Sequence, residues 1–243
     1  MRLLLVLALA ALLACASEPA LPGTPAEIDA AEAGARSEPA TPADSFDVQA
    51  WLAEVQALDE SDYDTLVARS RRLADRLETE AALDWRRACD TYRDPTTGEE
   101  VYDPVGPEQE AMIGRGLMDV SPLGEGEAAV SILCAMGAYQ GSWTLVHIER
   151  DRVALVRTAQ LDEGYQPTAF ETATFGEPLF EPDSHDFTTF VRSRGRGDCG
   201  AFTRYRLGTG GRAEIVEIRA RDCDEEIPDE LPPPEEWPVV YPR

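Results

Sequence analysis

Val48, Trp51, Leu52, Val55 and Leu58 recur at spacings of three and four, which aligns them along one stripe of an α-helix. Asp59 and Glu60 interrupt the stripe, and Ser61 with Asp64 three residues later resembles a capping box that opens a second helix. Tyr63, Leu66, Val67, Ser70, Leu73, Leu77 and Ala81 then share its inner face. Arg69, Arg71, Arg72, Asp75, Arg76 and Glu78 occupy the other side. Two neighbouring amphipathic helices of this kind predict an antiparallel hairpin that lays its apolar face on a sheet.

Beyond residue 128 the period changes. Residues 129–135, 143–149 and 153–158 are runs of Val, Ile, Leu, Ala and Trp separated by glycines or by Arg150-Asp151, and they read as strands. Residues 202–207 and 212–219 flank Gly208-Thr209-Gly210-Gly211, a glycine-rich hairpin turn. Short extended pieces are expected around Tyr92, Val101-Tyr102 and residues 170–180, with Pro95-Thr96-Thr97-Gly98 turning between the first two. The Pro and Gly residues from Pro104 to Gly126 predict only short elements there, and residues 186–191 read as a helical turn. The prolines after Ile227 predict an extended surface tail, pinned by Trp237 and Tyr241. The fold class that follows is α+β: an antiparallel sheet of five or more strands across residues 128–219, with the helices of residues 47–86 on one side.

The amino terminus adds a destination. Arg2 precedes an apolar run over residues 3–13, too short for a permanent membrane span, and Leu12-Leu13-Ala14-Cys15 resembles a bacterial lipobox. That resemblance implies cleavage before Cys15, lipidation of Cys15, and attachment to a membrane through the lipid anchor. Ala16 and Ser17, with no acid beside the cysteine, imply the outer membrane or cell surface under Gram-negative sorting. Residues 16–44 are Ala, Pro, Glu, Ser and Thr with almost no large apolar side chain, the composition of a tether. The organisation expected is therefore signal peptide 1–14, lipidated tether 15–45, helical segment 46–88, disulfide-tied β-rich domain 89–227 and Pro-rich tail 228–243.

Composition narrows the partners. All 22 basic residues are Arg, with no Lys or Asn, and the net charge is −24. Nucleic acid is excluded as a partner by that charge, since its phosphates would be repelled. Setting Cys15 aside, Cys89, Cys134, Cys199 and Cys223 remain, an even set that reads as two disulfides in an oxidising compartment. Their spacing has no C-x-x-C pair, so no metal and no cofactor is expected. Cys199 lies just before the first strand of the glycine-turn hairpin and Cys223 just after the second. The hairpin geometry therefore favours Cys199–Cys223 with Cys89–Cys134. Pairing Cys134 with Cys199 is the alternative.

Arg192–Gly200, written Arg-Ser-Arg-Gly-Arg-Gly-Asp-Cys-Gly, is the densest turn signal in the chain. Together with Cys134-x-x-x-Ala138-Tyr139, Pro178-x-Phe180 and Cys223, its Arg-Gly-x-Gly-Asp-Cys-Gly core resembles an uncharacterised bacterial envelope family, domain-of-unknown-function family 1176. The resemblance spans residues 128–226. It implies a secreted, cysteine-rich domain and supplies no reaction. The chain departs from the family pattern after Cys223, where Asp224-Glu225-Glu226 stand in place of a frequent Gly.

Several motifs carry chemistry only in form. Gly195-x-Gly197-x-x-Gly200 matches a dinucleotide fingerprint, but a strand rather than a helix is expected after it. Arg196-Gly197-Asp198 matches the integrin tripeptide inside a stapled loop. Asp222, Asp224, Glu225 and Glu226 lack calcium-loop spacing and read as a solvated turn. His147 falls within an apolar strand and reads as a packed side chain. His185, between Asp183 and Asp186, pairs on paper with Asp198 as a base and its orienting partner, the hydrolase reading. Arg192, Arg194, Arg196, Arg204 and Arg206 are candidate anion-binding residues. Internal pairing with Glu214, Glu217, Asp222 and Asp224 competes for them. The leading functional expectation is a non-catalytic envelope lipoprotein that binds or scaffolds an envelope polymer or protein, with the exported hydrolase as the alternative.

Overall fold

A computed structural model describes residues 46–58, 62–93, 97, 99–106, 114–181, 184–223 and 232–242. The expected signal peptide, Cys15, the tether, Ser61 of the expected capping box, most of the Pro95–Gly98 turn and the Asp224–Glu226 run lie outside the described residues.

Helix α1 (Val48–Gln56) starts where the Asp47 carboxylate accepts the Ala50 N–H at 2.9 Å, and it buries Val48, Trp51, Leu52 and Val55, as its spacing predicts. Helix α2 (Tyr63–Thr79) has Asp62 as its N-cap residue and buries Ser70, Leu73, Ala74 and Leu77. Its first turns run past the core: Tyr63 is exposed, and Leu66 and Val67 are half-buried. The Trp51 indole donates to the Leu73 carbonyl at 2.9 Å and joins the two helices. A third helix, α3 (Trp85–Asp90), was too short to leave a periodic signal. The Asp84 side chain caps it by accepting the Arg87 N–H.

Fourteen strands follow among the described residues. Strands β1 (Thr91–Arg93) and β2 (Glu100–Tyr102) form the small ribbon expected around Tyr92 and Val101. The first main sheet runs in the order β3 (Met118–Gly124), β4 (Glu127–Met136), β5 (Gly141–Glu149), β6 (Arg152–Val156), with β9 (Ala173–Phe175) also paired to β5. β7 (Thr158–Leu161) and β8 (Pro167–Glu171) make a second ribbon. The second main sheet runs β10 (Leu179–Phe180), β11 (Asp186–Arg192), β12 (Gly200–Gly208), β13 (Arg212–Arg221), β14 (Val239–Tyr241). Every pairing between these strands is antiparallel, and an isolated parallel bridge joins Arg157, just after β6, to Arg212 at the start of β13. The class is α+β with β structure dominant.

The layers are helices, first sheet, second sheet. Ala128, Val130, Ile132, Val146, Ile148 and Val153 pack under the helices. Ala129, Leu145 and Val156 face the other way, onto Phe187, Tyr205, Leu207 and Ala213 of the second sheet. Burial on both faces explains why β4 and β5 read as continuous apolar runs instead of alternating ones. Phe180, Phe187 and Tyr205 stack in series at 4.9 Å centroid spacing on the second sheet's inner side.

Both expected disulfides form. Cys89–Cys134, with Cα atoms 5.2 Å apart, ties α3 to β4. Cys199–Cys223, at 5.0 Å, closes the outer ends of the β12–β13 hairpin.

Three expectations change. Residues 186–191 are strand, not a helical turn: Phe187 and Thr189 point inward by alternation, and β11 pairs along its length with β12. Residues 118–124 form a seven-residue strand in the stretch expected to hold only short pieces. Pro122 is tolerated because β3 is an edge strand. The tail does more than lie on the surface, since β14 adds a fifth strand beside β13. Trp237 is buried there, with its indole donating to the Pro232 carbonyl.

Candidate functional site

The chain's only two histidines meet on one carboxylate oxygen. Glu127 opens β4, and Glu149 pairs with it across β5. His147, two residues earlier on β5 and buried, places Nε2 at 2.9 Å from Glu127 Oε1. His185 enters from the second sheet, on the loop that leads into β11, and places its own Nε2 at 2.8 Å from the same oxygen. Glu127 thus links both main sheets at one end of the sandwich.

The backbone fixes the His147 tautomer. The Gly211 N–H donates to His147 Nδ1 at 3.2 Å, so the ring proton sits on Nε2 and is donated to Glu127. A metal bound through Nε2 would require that proton on Nδ1, where Gly211 already donates. Among the described residues no group of three His, Cys, Asp or Glu side chains is arranged to hold a metal. Partial burial pushes the Glu127 carboxyl up. The hydrogen bonds from His147 and His185 outweigh it and hold the group below the usual carboxylate range.

An open cleft of about 530 Å³ lies over this cluster, lined by Glu127, Glu149, Ser184, His185, Asp186 and Arg206 among others. Asp186 is clamped by Arg206, at 2.7 and 3.0 Å, and lies 3.4 Å from Arg204. The Arg206 hydrogen bond is the main reason that its carboxyl is held low. Ser184 Oγ accepts the Asp186 N–H at 2.9 Å. Chemically the cleft presents a half-exposed imidazole bonded to Glu127, a guanidinium bonded to Asp186, and the Glu149 carboxylate 3.4 Å from the Gly210 nitrogen.

The glycine-rich turn sits at the opposite end. Arg194 clasps the buried Asp198 carboxylate through both Nε and Nη2, the main reason that this carboxyl too is held low. The Arg196-Gly197-Asp198 tripeptide therefore does not display its acid. A strand follows Gly200, so Gly195-x-Gly197-x-x-Gly200 lacks the helix that a dinucleotide site needs. The β4–β5 turn docks here: the Arg192 N–H donates to Gln140 Oε1 at 2.8 Å, and Arg192 Nη1 donates to the Tyr139 carbonyl at 3.3 Å.

His185 precedes the residue paired with Arg206, whereas Asp198 precedes Gly200, which is paired with Arg192. The hairpin between those pairs spans about 20 Å at ~3.3 Å per residue. The expected His185–Asp198 dyad does not form, because each carboxylate and imidazole has a partner at its own end. The five arginines also divide. Arg204 and Arg206 converge on Asp186, and Arg204 also meets Glu217 at 3.3 Å. Arg192, Arg194 and Arg196 stay on the turn, with Arg192 and Arg196 exposed. Sequence reasoning missed Glu127. An acid after Gly124-Glu125-Gly126 looks like a solvated loop charge, and only the packing of two sheets brings both histidines to it.

Residues 106–243 match the model of a family described as protein of unknown function (DUF1176). No curated protein and no solved structure matches the chain.

Proposed function

The chain belongs to the DUF1176 family, and from that premise we propose that it is a cell-envelope lipoprotein whose domain binds or scaffolds without chemistry, anchored through Cys15 at the outer membrane or cell surface. The observation that carries the reading is the closure of all four remaining cysteines into two disulfides. Such pairs persist where thiols are oxidised and are rare where glutathione keeps them reduced. The lipobox-like Leu12-Leu13-Ala14-Cys15 adds the anchor. The non-catalytic half is supported by how the polar groups are engaged: His147 and His185 are bonded to Glu127, and Asp198 to Arg194. The ligand class consistent with this reading is an envelope polymer or protein, and nucleic acid is disfavoured by the net charge of −24.

Metabolic labelling with radioactive palmitate, followed by membrane fractionation, tests the proposal. The native chain is expected to take up label and to sediment with membranes, and Cys15→Ala to do neither. Absence of label in the native chain overturns the anchor.

A further inference from the structure

The two ends of the β-sandwich are fastened by different chemistry. At the turn end the first sheet is linked to the second through groups that do not titrate near neutrality: the Arg192 N–H donates to Gln140 Oε1 and Arg192 Nη1 to the Tyr139 carbonyl, beside the Cys199–Cys223 disulfide within the second sheet. At the cleft end, among the described residues, the side-chain links from β4 and β5 to the cleft walls all involve acceptors that take up protons, while a parallel backbone bridge between Arg157 and Arg212 holds the base of the adjoining turn. Glu127 Oε1 holds His185, His147 Nδ1 holds the Gly211 N–H, and Glu149 Oε2 lies 3.4 Å from the Gly210 N. The walls so held are the loop of residues 184–185 and the turn of residues 208–211, both belonging to the second sheet.

We propose that Glu127 is the catch of a proton-operated clasp, which as a carboxylate holds the His185 loop against β4 and on protonation lets the cleft walls move outward. An ionised carboxylate oxygen can accept from two N–H donors at once, and bonds to a charged acceptor are the strong ones. A neutral carboxyl is a poorer acceptor for both imidazoles. Because Glu127 also orients the His147 ring that accepts the Gly211 N–H, weakening the Glu127–His147 bond loosens the neighbouring turn. The other charged groups facing Glu127 are Glu149 opposite it on β5 and the Asp186–Arg206 pair on β11 and β12. Asp186 shares the same acid response, since protonation would loosen its grip on Arg206. Motion stays local, because Leu207 and Ala213 beside the turn are anchored in the apolar layer between the sheets. The low Glu127 carboxyl keeps the catch engaged until the pH falls below the ordinary carboxylate range. The clasp is independent of how the chain is anchored.

Hydrogen–deuterium exchange on the full chain, expressed as protection factors at pH 7 and in acid, reads both ends at once. Protection of the Leu207, Gly210 and Gly211 amides is expected to fall roughly tenfold or more in acid, while that of Arg192 and Ser193 holds. Glu127→Gln, which keeps the size and removes the charge, is expected to show the open pattern already at pH 7. His185→Gln, at a half-exposed site that does not threaten the core, is expected to loosen the same loop. Equal loss at both ends in acid, or native protection at pH 7 in both variants, overturns the clasp.

Discussion

Asp90 and Arg115 form an ion pair 2.7 Å apart with side chains only 6% and 1% exposed, directly beside the Cys89–Cys134 disulfide. Asp90 ends α3, whereas Arg115 lies just ahead of β3, so the pair joins the helical layer to the segment matched by the family model. The Arg115 guanidinium also donates to the Arg86 carbonyl and lies 5.6 Å from the centre of the Trp85 ring. Removing one member leaves the other charge buried. Arg115→Met is therefore expected to cost about 3–5 kcal/mol, and the double variant Asp90→Asn/Arg115→Met clearly less. Urea unfolding of the oxidised protein measures both. A double variant as damaging as the two single changes added together would refute the coupling.

Acid should weaken the fold through carboxylates that the structure holds ionised. Asp186, bonded chiefly to Arg206, and Asp198, bonded chiefly to Arg194, both sit below the usual carboxylate range. A carboxyl depressed in the folded state contributes stability that is fully present above its unfolded value, about 3.9 for Asp. That contribution is lost as the pH falls through the lower folded value. Thermal melts at pH 7, 5 and 3 are expected to show most of the loss between 5 and 3. In Arg194→Gln the same interval should cost less, since Asp198 no longer gains from ionisation. An unchanged drop in that variant would remove Asp198 from the account.

The sequence makes some of these features plain and hides others, for physical reasons. Val48, Trp51, Leu52 and Val55 reveal α1 because a helix half in water must repeat its apolar residues. The Cys199–Cys223 tie is legible because a hairpin closed by Gly208–Gly211 brings its outer ends together whatever it packs against. β11 is less legible, because six residues containing Phe187, Thr189 and Phe190 fit a helical turn as well as a strand until β12 supplies a partner. β14 is hidden behind prolines that suggest only a loose tail. Glu127 carries no local mark at all. Its role depends on His147 in one sheet and His185 in the other, 20 and 58 residues away along the chain.

The shape of the central turn rests on Gly200 more than on any other glycine around it. Gly200 has φ +138°, a region closed to side-chain-bearing residues, and it is paired on one side with Arg192 and on the other with Arg221. A Cβ there would collide with the Val191 carbonyl oxygen and come within 3.1 Å of the Ser193 nitrogen. Neither backbone atom can swing aside, because β11 is held in the ladder and the Ser193 N–H donates to the Cys199 carbonyl. Gly210, in the other turn of the same sheet, is the natural control. Its φ is +68°, and a Cβ there would meet nothing within 4 Å. Gly210→Ala should thus cost only the left-handed penalty of about 1–2 kcal/mol. Gly200→Ala adds a backbone collision to its strain and should cost roughly 3 kcal/mol or more. Denaturant midpoints of the two variants, measured with both disulfides intact, decide the comparison. Equal losses would mean that the turn relaxes around a side chain, and that its nine-residue glycine-rich motif is not needed to hold Asp198 and Cys199 in place.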